Sequence, residues 1–452
     1  MKRTIGTLCF FGVATLAARA SATNGMNPTA SGVEAAGRGG VDQAVATETT
    51  AMNTNPAGIT QAPLRIDASL SLLAPSLTLT DRAAMPSGSM TLDDAVNSRS
   101  KLFPMINAGI TGNLWKGLYA GIGIATQGGM GAEFNGLHTF TSDPSQPGVP
   151  KASTYDTYSQ VAFMKLTPTL AYRFEGLAKG FDLSFGATFD VGMSSMEFRH
   201  SGMQFPEPGN NTGLYAQHSL NYKSDWTTGF GVRLGVLAEM LDKRLSLGLS
   251  YQSKTSLNYK GTATVDGMLD YDGSMAFGWP QEIAGGVAVR PIPGLLLGAD
   301  LHWIDWSSML DTVTLNGTAK GAAPPGYQTL TAPFQMNWRD QLAFALGAQY
   351  EPDPSFVLRA GYNYGKSPVL PDGINPLFPA VSEHHFSFGV GVRPIPKRLS
   401  IDMAVEVSPS NTVASDANNQ LAHQPGTTNP NGYSVDVSMR QVTATLGASY
   451  RF

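Results

Sequence analysis

The chain has 452 residues, a formal net charge of −4 and only 14% charged residues, against roughly 25% in ordinary soluble domains. Fifty glycines and 42% apolar residues accompany that low charge. No basic block points to nucleic acid, and no apolar run approaches the roughly 20 residues a membrane-spanning helix needs.

In chain order, the first element reads as a signal peptide over residues 1–22. Lys2 and Arg3 form a positive start, residues 4–18 an apolar stretch, and Ala18, Ala20 and Ala22 give cleavage options after Ala20 or Ala22. The only cysteine, Cys9, lies inside that signal, so the mature chain has neither disulfide nor thiolate metal ligand. Residues 23–63 follow, with little charge, many small residues and no strand alternation. Near their end stands NTNPAG, 53–58. Asn55 before Pro56 favours a turn, and Pro56 fixes φ and removes a backbone donor.

From residue 65 onward the pattern has period two. In RQVTATLGASYRF, Val442, Ala444, Leu446, Ala448, Tyr450 and Phe452 share one face, and Gln441, Thr443, Thr445, Ser449 and Arg451 the other. Fourteen such segments occur, near 64–75, 102–113, 117–128, 160–174, 180–198, 226–239, 244–259, 282–290, 294–306, 337–350, 355–365, 383–393, 398–407 and 436–452. Short connections (NLWK, EGLAK, MLDK, PIP, EPDP, PIPK) alternate with long ones rich in Gly, Pro, Asn, Asp and Ser. Alternating tight turns and long loops are the mark of an outer-membrane barrel, with the short turns in the periplasm. Tyr and Trp near strand ends, Trp115, Trp226, Trp303, Trp306 and Trp338 among them, fit an interfacial girdle. The predicted fold is all-β: a 14-stranded antiparallel transmembrane β-barrel over 64–452. Such a barrel is too wide for wall side chains to fill and narrower than open porins, so residues 23–63 are expected as a plug inside the lumen. The alternative is a periplasmic tail.

The segment from Thr23-Asn24-Gly25 through Gly37-Arg38-Gly39-Gly40 to Asn55-Pro56-Ala57 resembles the hatch of the FadL family of outer-membrane transporters for hydrophobic substrates. The likeness continues at 121–134, 337–350, 356–369 and the last strand ending in Phe452. It implies a hatch that plugs the lumen and a kinked third strand that opens the wall sideways. Gly128, Gly129 and Gly131 interrupt the alternation at the end of the third predicted strand, as a kink would; a plain strand end is the alternative. The resemblance also implies passive uptake of long-chain fatty acids or similar hydrophobic molecules, with aromatic hydrocarbons as the alternative substrate. A different class, a general diffusion porin for polar solutes, stays open.

Apolar residues in the predicted long loops, Phe134, Leu137, Phe140, Phe277 and Trp279, are candidates for capture, since burying an alkyl chain yields roughly 0.8 kcal/mol per CH₂. Arg339, Arg233 and Arg359 point inward by parity and are candidate contacts for a ligand carboxylate; the competing reading pairs them with Asp and Glu across the lumen. The seven histidines are scattered, no catalytic or nucleotide-binding motif occurs, and neither enzyme activity nor a cofactor is expected. The expected setting is the outer membrane of a Gram-negative bacterium. Expected partners are lipid and lipopolysaccharide, and the barrel assembly machinery at the Phe452 strand, with the protein a monomer.

Overall fold

The computed structural model describes residues 24–62, 64–84, 91–143, 146–204, 217–415 and 433–452; the expected signal peptide lies outside them. Fourteen strands close into one ring. They are β1 (Arg65–Ala84), β2 (Phe103–Trp115), β3 (Leu118–Asp143), β4 (Gln146–Leu166 and Thr169–Ala178), β5 (Phe181–Gln204), β6 (Gln217–Ser224 and Thr227–Met240) and β7 (Leu245–Gln252 and Thr255–Val265). The ring continues with β8 (Leu269–Trp279 and Glu282–Val289), β9 (Leu295–Ile304 and Thr312–Ala319), β10 (Thr329–Gln335 and Gln341–Asp353), β11 (Phe356–Gly365), β12 (His384–Ile395), β13 (Leu399–Ala414) and β14 (Tyr433–Arg451). A further strand, Thr91–Asn97, pairs with β1 alone among the described residues. All ring pairings are antiparallel, and β1 closes on β14 from Arg65–Arg451 to Ala83–Tyr433. Closure gives every ring strand two neighbours, the condition for crossing lipid.

The sheet is inside out relative to a soluble sandwich. On β14, Leu446 is 58% exposed and its neighbour Thr445 3%. The apolar face thus meets the bilayer and the polar face the lumen, so period two is strong wherever the wall lies within the membrane.

Two features depart from the sequence reading. β3 continues to Asp143 and β5 to Gln204, past the ends that alternation marks near 128 and 198. Beyond the bilayer the inward face is also apolar, with Phe134 and Leu137 fully buried, so alternation loses its contrast. Second, β4, β6, β7, β8, β9 and β10 are each interrupted, at 167–168, 225–226, 253–254, 280–281, 305–311 and 336–340. Trp279, Trp306 and Trp338 stand at three successive breaks and turn inward as an edge-to-face row, with ring centroids 6.4 and 5.4 Å apart. Trp306 and Trp338 are therefore interior residues rather than girdle, whereas Trp115 and Trp226 are exposed.

The lumen holds two fillings. Residues 24–62 occupy the periplasmic half, with a short helix α1 (Val33–Gly37) and 3₁₀ turns at Thr49–Asn53 and Pro56–Gln61. The connection from β11 to β12, residues 366–383, folds into the extracellular half, and 373–382 are buried throughout.

Candidate site where the hatch meets the third strand

The NPA turn is seated by Asn55. Its Oδ1 accepts from the Ala57 N–H at 3.2 Å, capping the 3₁₀ turn that Pro56 opens. Its Nδ2 donates to the Gln43 carbonyl at 2.8 Å and to the Val236 carbonyl of β6 at 3.1 Å. The wall admits this because Gly235 faces it: a Cβ there would lie 2.1 Å from Asn55 Oδ1. One side chain thus ties the turn to its own segment and to the barrel.

Charge fixes the rest of the segment. Glu34 on α1 lies 2.8 Å from Arg65, 3.7 Å from Arg38 and 3.8 Å from Arg359. Burial opposes its charge, but Arg65, Arg359 and Arg38 hold its carboxyl well below the usual range. Asp42 is the reverse case. Burial and the facing carboxylate of Asp300 push it up to about 7. Asp300 itself accepts from the backbone N–H groups of Asp42 and Gln43 at 2.6 and 2.9 Å.

The start of the segment latches onto β3. The β2–β3 ladder runs from Trp115–Leu118 to Asn107–Ala125 and stops there. Thr126 Oγ1 then bridges the Ile106 N–H and carbonyl, both at 3.0 Å. On the other side, pairing with β4 slips by one residue between Thr126 and Gly128, a bulge at Gln127. The Gly129 N–H turns inward and donates to the Met26 carbonyl at 3.1 Å. Gly128 makes this approach possible, since a Cβ there would meet the Met26 oxygen at 2.0 Å. Asn27 Oδ1 accepts from Trp279 Nε1 at 2.6 Å and from Gln127 Nε2 at 3.4 Å. Farther out, Glu133 rejoins the neighbouring chain, its N–H on Ser98 Oγ and its carbonyl on the Arg99 N–H. Between these ties, residues 128–132 have ladder partners on the β4 side only among the described residues. The β2 side chains that face inward there are Phe103 and Met105, both buried.

The other candidates fall into place around this gap. Gly128, Gly129 and Gly131 lie in the middle of β3, not at its end. Phe134 and Leu137 are on β3, and Phe277 and Trp279 on β8, all buried in the apolar filling of the extracellular half. Phe140 is also on β3. Phe277 lies 6.3 Å from Phe378 of the inserted connection, centroid to centroid, and Phe163 stacks on Trp279 at 4.7 Å. Phe134, Leu137, Phe277 and Trp279, first placed in loops, thus come together as one apolar body inside the wall.

The three arginines separate. Arg339 donates from Nε and Nη2 to the Ser367 carbonyl at 3.0 and 2.6 Å, holding the root of the inserted connection. Arg359 donates to Asp402 at 2.6 Å and to Gln349 at 2.8 Å. Arg233 donates to the Thr54 carbonyl at 2.9 Å, next to the NPA turn, and to Gln252. Gln252 also accepts from Lys165, which pairs with Asp190 at 3.0 Å in full burial. Arg233, with Asn27, Asp42, Gln127, Glu282 and His302, borders a polar cavity of about 50 Å³ between this segment and the wall. Sequence reasoning missed Met26, Asn27, Gln127, Phe103 and Met105. Of these only Gln127, beside the glycine cluster, carried a signal.

A closed barrel with an apolar outer face, an internal polar plug and an interrupted ladder defines a channel of the outer membrane built for molecules that a water-filled pore would not serve. The chain belongs to the outer membrane protein transport family OMPP1/FadL/TodX, whose model matches residues 12–452. Among solved structures, the Pseudomonas putida toluene transporter TodX is 19% identical, covers 94% of this chain and 99% of its own, and has a TM-score of 0.68. A Pseudomonas aeruginosa FadL homologue gives the same values. The Ralstonia pickettii toluene transporter TbuX is 19% identical at a TM-score of 0.65, covering 95% of this chain and 99% of its own. At such identities the likeness concerns the fold. No curated protein matches the sequence. The family's members are hydrophobic-compound channels, not enzymes.

Proposed function

We propose that the protein carries out passive uptake of hydrophobic small molecules, with residues 23–63 acting as a hatch in a barrel of residues 64–452. The ligand enters the apolar extracellular half, displaces part of its filling and leaves sideways through the gap beside β3 once the hatch latch releases. The observation that carries this is the Gly129 N–H, bonded to Met26 of the hatch instead of to β2. One hydrogen bond thus belongs to both the plug and the edge of the gap.

The geometry favours uncharged hydrocarbons, aromatic ones included, over long-chain fatty acids. Arg339 and Arg359 are engaged with a carbonyl and a carboxylate. Arg233 lies below the apolar body, beside the polar cavity. A fatty acid would need its carboxylate at that depth, taking Arg233 from the Thr54 carbonyl. Uptake of labelled toluene and of oleate, in a host lacking its own transporter, separates the substrates. Gly131→Val, which adds bulk at the gap and leaves the approach of Gly128 to Met26 unchanged, is expected to lower uptake sharply in a barrel that still shows heat-modifiable folding. Unimpaired uptake would sink lateral exit, and high ion conductance of the unaltered protein would sink the plug in favour of a porin.

A further inference from the structure

A second cavity, of about 490 Å³, opens at the periplasmic mouth, beneath the hatch. Its roof is hatch: Glu34, Arg38, Val45 and Thr47. Its sides come from the short-turn ends of the wall, where Arg244, Arg290, Arg393 and Arg451 line the same cavity as Glu351. Five arginines therefore face two glutamates, and both glutamates are already committed. Glu34 pairs with Arg65 at 2.8 Å, and Glu351 with Arg393 at 2.8 Å. Arg38 is held by Gln349 at 2.9 Å and by two backbone carbonyls of the hatch. Arg244, Arg290 and Arg451 have no carboxylate within ion-pair distance among the described residues. Arg290 spends one nitrogen on the Lys243 carbonyl at 2.9 Å. Three guanidinium groups without a direct ion pair among the described residues thus share one recess, over the apolar surface of Ile292, Pro293, Leu295 and Leu296.

We propose that this recess binds a phosphate-type oxyanion, free or as a lipid headgroup, and that the bound anion holds the hatch seated. Like charges gathered over an apolar floor repel, and an anion among them relieves that repulsion. Guanidinium forks match the paired oxygens of phosphate. A phosphate group carries about two negative charges, closer to the surplus of three cations than a single carboxylate. Because Arg38 is on the roof and Arg244 and Arg290 on the wall, one anion bridges plug and barrel. Val45 already packs on Leu296 at this place, so the bridge reinforces an existing seat. The inference does not depend on the transported substrate.

The test is hydrogen exchange of the full-length mature protein in uncharged detergent, with and without inorganic phosphate. A second arm compares nanodiscs containing phosphatidylglycerol with nanodiscs of phosphatidylcholine alone. Phosphate is expected to slow exchange across residues 33–47 and leave 373–382 unchanged. Arg244→Gln with Arg451→Gln is expected to weaken the apparent phosphate affinity about tenfold or more, while Arg244→Lys, which keeps the charge, retains most of it. Protection by phosphatidylglycerol but not by free phosphate identifies the headgroup as the source. Three results would each overturn the proposal: equal protection by sodium chloride at matched ionic strength, an unchanged response in the double variant, or no protection in either arm.

Discussion

The two fillings of the lumen are held by opposite physics. The hatch is polar and specific: Asn55, Glu34, Asp300 and Arg65 each make bonds that only one geometry satisfies. The extracellular filling is apolar and adaptable, an aromatic and methionine-rich body around Leu377 and Phe378. Polar contacts can be exchanged for water at little net cost, because each bond is worth only about 1 kcal/mol net. A hatch made this way can leave its seat in steps, exposing only small apolar contacts such as that of Val45 on Leu296. The extracellular body cannot be hydrated so cheaply, but an apolar ligand can replace its contacts one for one. In the proposed route one half is released and the other displaced, and the two meet at Met26, Asn27, Gln127 and Trp279.

The largest expected effect is on the hatch. Glu34→Ala leaves Arg38 without its acidic partner and takes a shared one from Arg65 and Arg359. Removing one member of a buried ion cluster costs about 3 kcal/mol. Exchange across residues 33–47 should accelerate and ion leakage in planar bilayers rise, while 373–382 stay protected. Loss of protection in both regions would mean that the two fillings form one cooperative unit. The counterpart is Leu377→Ala. Leu377 is 1% exposed, and its truncation should cost about 2–3 kcal/mol. Exchange should then accelerate across 373–382 only, and hydrocarbon uptake should quicken without leakage of polar solutes.

This contrast explains what could be read from residues alone. All fourteen strands were legible, because within the bilayer each residue faces either lipid or a polar lumen. The NPA turn was legible because Asn and Pro impose local geometry. The extracellular half was not. Phe134, Leu137, Phe277 and Trp279 stood out as apolar, but segments apolar on the inward side beyond the membrane lose period two and look like loops. The breaks at 167–168 and 253–254 were hidden as two-residue polar or proline steps inside predicted strands, and the other four were read as strand ends. The role of Arg339 was unreadable because its partner is a backbone carbonyl, that of Ser367, and a carbonyl leaves no trace in composition. The latch could not be seen at all. It depends on Met26 meeting Gly129 across more than a hundred residues of chain.

The smallest expected effect lies at that latch, and it tests whether the two halves communicate there. Trp279→Phe keeps most of the ring contact with Phe163 but removes the N–H that donates to Asn27 at 2.6 Å. Gln127 still reaches Asn27, though at 3.4 Å. Loss of one such bond costs about 1 kcal/mol, an approximately fivefold rise in the open population. The amide of Gly129 reports it directly, because its partner is the Met26 carbonyl next to Asn27. Its exchange should accelerate about fivefold, and uptake should rise by no more than that factor, with the rest of the hatch still seated. Trp306→Phe is the matched control. Trp306 is as deeply buried, but its indole N–H has no hydrogen-bond partner among the described residues, so the substitution changes packing without touching a bond. If it speeds Gly129 exchange as much as Trp279→Phe does, the seam is held by volume rather than by Asn27. Release of the hatch would then follow from any loosening of the apolar body, and the two halves would no longer be separable in mechanism.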